Sequence, residues 1–416
     1  MITLTRKVKN KITPEHLFMI SVLLVSGGNY LYNLLLGRFL GPEKFADAAV
    51  LITFLLVLSF LAMTFQLVTA KFLVAFDGDT FEPFISKTFK YALATGIGLG
   101  ALIIIFSSEL QTFFKISSVN TFIVFGLGVP IYFMMSVNRG LLQGKKEFTS
   151  LSVTYQAEML SRLVLTMGLL MFLEIDTSLI VSIGIFCSFL LGLVPFKYKR
   201  ISFVTSKVLG IIENKMVRNF FIVTAFYELT QILINNSDIL LVKHYFDGYN
   251  AGLYASLALI GRVVYFIAWM FVMLLLPTVV QLKKEGKPTL SVLLKYVSAI
   301  SLITILIILG CLLFPNQIIY LLFGGDYLEV VPLLWKYALA TGVFAISNIF
   351  AYYYLSIDEY TPVILSGLFG MLQIVLVIFF HKSLEEVVHM QIIAMSLLLA
   401  VQLSFFLWKY YKDKTK

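Results

Sequence analysis

Apolar runs of about 20 residues recur along the whole chain, each long enough to cross ~30 Å of hydrocarbon as a helix. This one feature leaves little choice of fold, because a chain buried in lipid has to satisfy its backbone polar groups within its own structure. The expectation is an all-α, polytopic integral membrane protein with twelve transmembrane helices, at 16–38, 46–72, 88–108, 119–143, 151–173, 178–197, 217–243, 251–280, 290–314, 331–355, 361–381 and 389–409. Gly41–Pro42, Pro315 and the "DEYTP" before Val363 punctuate the pattern, since proline has no amide donor and suits a first turn. Composition agrees: 59% of residues are hydrophobic and 13% charged, whereas soluble domains carry roughly 25% charged residues. Phe18–Leu36 follows a basic start, yet it exceeds a signal-peptide core and no A-x-A site follows, so it reads as a retained first helix.

The net charge of +9 is explained by orientation rather than by nucleic acid. With the N-terminus inside, inside segments hold 24 Lys and Arg against 5 outside. That bias predicts both termini on the cytoplasmic side of the cytoplasmic membrane.

The largest inside segment, "KYKRISFVTSKVLGIIENKMVRN", splits the chain. The expected lobes are 1–200 and 217–416, six helices each, joined by a cytoplasmic linker at 201–216. "LLLGRFLGPEKFADAAVLITFL" after the first helix echoes "ILLVKHYFDGYNAGLYASLALIG" after the seventh. Six crossings return the chain to its starting side, so the repeat is expected to be parallel, a pseudo-two-fold about the membrane normal.

Catalytic chemistry has no foothold in this sequence. There is no P-loop, no H-E-x-x-H and no Cys/His cluster, and no loop is long enough for a soluble domain. The chain is therefore expected not to be an enzyme and to need no metal. His16, His244, His381 and His389 are scattered, and Cys187 and Cys311 sit inside apolar runs as small hydrophobes. "DGD" at Asp77–Asp79 reads as a solvated turn, and "GIGLG" at Gly96–Gly100 as small residues that let helices approach closely.

The charges inside the predicted helices carry the functional information. Glu158 and Arg162, Glu228 and Asp238, and Arg262 lie near mid-depth, where each costs at least about 2.5–3.5 kcal/mol to insert. Such groups face a protein interior or water. Glu158 and Arg162 are spaced i, i+4, and Asp238 and Arg262 flank one hairpin at similar depth, so both pairs are candidates for internal pairing. A hydrated cavity is the other reading, and the two overlap. Asn29, Asn33, Gln66, Asn138, Gln156, Gln231, Asn235 and Asn236 supply a polar lining, while Arg38, Arg139 and Lys336 near helix ends extend a cationic one. An arginine-rich cavity suits an anion, because guanidinium binds phosphate oxygens bidentately.

The segments "YLYNLLLGRFLGPEKFADAAVL", "NRGLLQGKKEFTSLSVTYQAEMLSRLVL", "SDILLVKHYFDGYNAGLYASLALIGRVVY" and "LLFGGDYLEVVPLLWKYALA" resemble the polysaccharide-biosynthesis flippases. These belong to the multidrug/oligosaccharidyl-lipid/polysaccharide exporter superfamily. The resemblance implies two six-helix lobes around a V-shaped central cavity, with alternating access. It also implies an undecaprenyl-diphosphate-linked oligosaccharide as substrate, membrane lipids as surroundings, and polysaccharide polymerase and glycosyltransferases as partners. Arg162, Arg262, Arg38, Arg139 and Lys336 match the cationic residues that would meet the diphosphate. The alternative is a sister drug and organic-cation exporter coupled to Na+ or H+. Those exporters commonly carry an Asp in the first helix, where this chain has Asn29 and Asn33, which leaves Glu228 and Asp238 as the coupling candidates.

Overall fold

The computed structural model describes residues 14–76, 80–196, 209–357 and 359–414. Among them are thirteen α-helices, one 3-10 helix and no strand. The first helix, α1 (Pro14–Ala75), is two predicted helices fused across a break, where Gly41 takes φ 71° and Pro42 follows without an amide. Only glycine adopts that backbone conformation at no steric cost, and proline removes the hydrogen bond that would continue the first arm. The chain continues through α2 (Phe81–Ile105), α3 (Ser107–Phe114), α4 (Asn120–Gly144), α5 (Phe148–Phe172), α6 (Thr177–Gly192) and α7 (Ile211–Tyr245). It then forms α8 (Gly248–Lys284), α9 (Leu290–Leu313), α10 (Pro315–Leu322), the 3-10 helix Gly325–Leu333, α11 (Leu334–Ser356), α12 (Thr361–Phe379) and α13 (Leu384–Lys414). With α1 counted as two arms, every predicted span has its helix. The eight-residue α3 and α10 were not anticipated from hydropathy, being too short to produce a membrane-length run.

Two compact units divide the chain: residues 1–35 with 54–229, and 36–53 with 230–416. This departs from the expected 1–200 and 217–416 in two places. Residues 201–208 of the expected linker lie outside the described residues, as does the "DGD" turn at 77–79; residues 211–216 are not linker but the opening of α7. The second departure is the elbow of α1, which packs with residues some 200 positions later rather than with its own chain neighbours.

In unit 1, α2 lies along α4, α4 against α6, and α6 against α5. The α2–α4 contact is close because it is made by glycines: a Cβ on Gly100 would sit 2.5 Å from the Gly126 carbonyl oxygen, and one on Gly96 would sit 2.8 Å from the Pro130 Cα. Small residues play the packing role expected of them here. In unit 2, α11 is central and packs on α8, α9 and α13, while α12 lies on α13. The pairs α2–α4, α4–α6 and α5–α6 thus recur as α9–α11, α11–α13 and α12–α13. Each unit also inserts its eight-residue helix at the same place, α3 after α2 and α10 after α9. The repeat suggested by short sequence echoes is carried by this order of pairing.

The elbow is held within unit 2 by backbone and charge. A Cβ on Gly252 would lie 1.8 Å from the Pro42 carbonyl oxygen, so only glycine admits α8 this close to the turn. Tyr327 Oη donates to the Gly37 carbonyl (2.6 Å), and Lys243 Nζ meets Asp47 Oδ1 at 2.6 Å in a buried pair. At the entrance to α8, the Asn250 amide N–H donates to Asp247, holding that carboxyl below the usual carboxylate range.

Candidate functional site

Unit 1 builds its polar centre on α4, α5 and the first arm of α1. Glu158 on α5 is the hub, its carboxylate between two guanidiniums: Arg139 Nη2 at 2.8 Å and Arg162 Nη2 at 3.6 Å. Arg139 on α4 is further locked. Its Nε donates to Thr154 Oγ1 (3.1 Å), its Nη2 to the Thr154 carbonyl (2.9 Å), and its Cζ lies 3.9 Å from the centroid of the Tyr155 ring. Arg162 reaches the other way, Nη2 donating to Asn29 Oδ1 (2.6 Å) with Cζ 5.6 Å from the Tyr32 ring. The three side chains are at most 12% exposed. Two cations and one anion leave this centre with an excess positive charge, and Arg162 Nε has no hydrogen-bond partner among the described residues.

Unit 2 arranges its charges differently. Asp238 on α7 is 1% exposed and takes three neutral donors on one oxygen: Tyr254 Oη (3.0 Å), Tyr337 Oη (2.8 Å) and Gln391 Nε2 (2.8 Å). Its Oδ1 is buried without a partner among the described residues. Arg262 on α8 donates from Nη2 to the Asn235 carbonyl (2.7 Å), and its Nε too is without a partner. The expected Asp238–Arg262 ion pair therefore does not form among the described residues. Phenol and amide donors saturate Oδ2, and the guanidinium is drawn to a main-chain carbonyl on α7. A cavity of about 20 Å³ lies beside Arg262, Asn235, Tyr337, Gln373 and Gln391, about the size that one water occupies.

The remaining predicted residues divide between these centres and the packing around them. Gln66 donates to Gln143 Oε1 and the Tyr155 hydroxyl, both at 2.9 Å, which ties α1 to the Arg139 side of the unit 1 centre. Asn33 Nδ2 donates to the Asn29 carbonyl, and Gln156 Nε2 to Ser21 on α1. Asn138 donates to the carbonyls of Leu193 and Pro195 just past α6, satisfying a helix end. Gln231 accepts from Tyr265 Oη, while Asn235 and Asn236 donate to carbonyls one turn back on α7. Three predicted charges stand apart from both centres. Arg38 is exposed and donates to the Leu321 carbonyl (2.7 Å) at the end of α10; Lys336 pairs with Glu385 (2.5 Å); Glu228 has no ion pair among the described residues.

Sequence reasoning did not find Thr154, Tyr155 and Tyr32 around the arginines, nor Tyr254, Tyr337 and Gln391 around Asp238. Tyrosines within apolar helices count as hydrophobic in a hydropathy profile, and only a buried acid in search of donors signals their use. The buried Lys243–Asp47 pair was also missed, because Lys243 reads from sequence as an outside-loop cation.

Residues 35–332 match the family described as polysaccharide biosynthesis protein. The chain belongs to that family. The fold of the chain is shared with known transporters. One is the inward closed conformation of the lipid II flippase MurJ, 16% identical over 95% of this chain and 87% of that one, with a TM-score of 0.76. Another is the inward-facing conformation of a multidrug resistance MATE family transporter of the MOP superfamily, 14% identical over 93% and 94%, TM-score 0.75. A MOP superfamily transporter from Pyrococcus furiosus is 15% identical over 97% and 96%, TM-score 0.64. At such identities the likeness is one of fold. A comparison with curated proteins returned no match.

Proposed function

We propose that this protein is a flippase that carries an undecaprenyl-diphosphate-linked oligosaccharide across the cytoplasmic membrane by alternating access, for assembly of surface polysaccharide. The observation that carries this reading is Arg162, a guanidinium in a membrane helix of a polysaccharide-biosynthesis-family protein. Glu158 and Asn29 hold it in place but leave it uncompensated by a full charge and with Nε unpartnered. That arrangement suits a diphosphate, whose oxygens accept two parallel N–H bonds. On the same reading Arg262 is the counterpart in unit 2, with a cavity of about 20 Å³ beside it, room for one water. The lipid tail stays in the bilayer, so only the diphosphate and sugars need a polar path. No covalent step is required. Both termini are cytoplasmic on the charge bias, and the polymerase and glycosyltransferases of the same assembly line are the natural partners.

The test is complementation in a flippase-deficient strain with membrane levels measured for each variant. Arg162→Ala is expected to abolish surface polysaccharide while accumulating normally, and Arg162→Lys to restore only part of it, since an ammonium keeps charge and loses the planar fork. Normal polysaccharide in Arg162→Ala removes this residue from the mechanism.

Asp238 supports a second reading. A buried carboxylate with one oxygen unpartnered is cation-ligand chemistry, as an exporter coupled to Na+ or H+ would need. If neutralising Asp238 or Glu228 removes resistance to organic cations and leaves polysaccharide intact, the exporter reading replaces the flippase.

A further inference from the structure

Away from both polar centres, unit 1 holds a cavity of about 620 Å³ between the second arm of α1, α2 and the opening of α7. That volume lies within the ~300–1,000 Å³ of ordinary ligand sites. Phe65, Phe84, Phe221 and Val68 supply apolar wall, and three cations, Lys87, Lys215 and Arg218, stand around it. Among the described residues no carboxylate lines it, and Lys215 and Arg218 form no ion pair. Lys87 Nζ is oriented by Asn214 Oδ1 at 2.5 Å, one turn into α7. A fourth cation, Lys71, sits close by on α1 with its Nζ 3.7 Å from the centroid of the Phe220 ring. The rim is apolar and open: Ile211 is 89% and Tyr91 58% exposed, both lining residues. In a membrane-spanning chain those side chains meet acyl chains.

Apolar depth, a cationic edge and an open apolar rim describe an amphiphile with a negative head. We infer that this cavity binds one anionic phospholipid, its phosphate against Lys87, Lys215 and Arg218 and an acyl chain along the phenylalanine wall. Charge complementarity selects the head, since basic pockets between membrane helices hold anionic headgroups. The aliphatic stems of lysine and arginine cover apolar surface while their heads reach toward the interface. Thr88, Tyr91, Thr95 and Asn214 are the uncharged polar side chains of the lining, too few to recognise an oligosaccharide. The site is therefore assigned to a structural lipid rather than to the transported glycolipid. It also lies on the part of α7 that belongs to unit 1, the other part of the same helix belonging to unit 2. A lipid held here fixes the start of α7 to α1 and α2.

Native mass spectrometry of the full chain, released from vesicles of equal phosphatidylglycerol and phosphatidylcholine, tests the assignment without any transport readout. The wild-type chain is expected to retain one phosphatidylglycerol in at least tenfold preference. The combined Lys87→Gln, Lys215→Gln and Arg218→Gln variant is expected to lose that preference, and Thr95→Trp, which fills the cavity and leaves the charges, to lose retention itself. Size-exclusion profiles check that each variant is folded; should the triple variant fail there, the headgroup preference of the wild type and the Thr95→Trp result decide alone. Equal retention of phosphatidylcholine overturns the role of the cations, and unchanged retention in Thr95→Trp places the lipid elsewhere. Displacement by inorganic diphosphate alone reduces the site to an anion site. Displacement by undecaprenyl diphosphate at substoichiometric levels makes it a substrate subsite, and either outcome overturns the lipid assignment. Because lipid retention is measured apart from flipping, its failure leaves the transport reading standing, and the reverse holds too.

Discussion

Two buried carboxylates, Glu158 in unit 1 and Asp238 in unit 2, solve the same problem in opposite ways. Glu158 is neutralised by charge, with a guanidinium on each oxygen. Asp238 is stabilised by dipoles, two phenols and one amide on a single oxygen, while Arg262 turns to a backbone carbonyl. The first solution over-compensates and leaves cationic character; the second brings no cation to the acid and leaves one oxygen bare. A centre of the first kind attracts an anion and one of the second kind attracts a cation. The contrast teaches that burial alone says little about what a membrane charge is for, and that the identity of the donors says more.

The sharpest test of this contrast is Glu158→Gln. It leaves two buried guanidiniums with no anion, and losing one member of a buried charged cluster costs about 3–5 kcal/mol. Denaturant unfolding in detergent is expected to show that loss; a change below about 1 kcal/mol would mean that water, not Glu158, screens the arginines. Asp238→Asn comes next. The isosteric amide keeps the shape but weakens three charge-assisted bonds, an expected loss of about 1.5–3 kcal/mol in the same assay. A loss as large as that of Glu158→Gln would erase the distinction between the two centres. Tyr337→Phe removes one neutral donor at 2.8 Å and should cost about 1 kcal/mol, with non-additivity against Asp238→Asn in a double-mutant cycle. Tyr32→Phe is expected to have the smallest effect, about 0.5 kcal/mol, because its bond to Thr166 Oγ1 is long at 3.3 Å.

Much of this was legible in the chain, and the illegible part has a pattern. The twelve spans, the break at Gly41–Pro42 and the Glu158–Arg162 pair are local, set by hydropathy, backbone chemistry or i, i+4 spacing. Arg139 reads in the sequence as a helix-end cation because its partner Glu158 lies on the next helix, where register cannot be counted. The three donors to Asp238 come from α8, α11 and α13. Their convergence depends on how the helices pack, which no single helix records. The placement of residues 36–53 with unit 2 was hidden for the same reason, since chain order assigns them to the first half.

That elbow has a consequence in time. Asp47 and its partner Lys243 are 196 residues apart, and Gly252 and Tyr327 come later still. At roughly 5–20 residues per second of synthesis, a nascent chain carries Asp47 for about 10–40 s before Lys243 is made. For that interval the carboxylate at the turn of α1 stands without its ammonium, and the seat for Pro42 does not exist. Unit 2 is thus begun by α1 and cannot close until the residues from 230 onward have been made. A ribosome that stalls between the two would leave a membrane-inserted fragment in which Asp47 lacks Lys243 and Pro42 lacks its seat against Gly252.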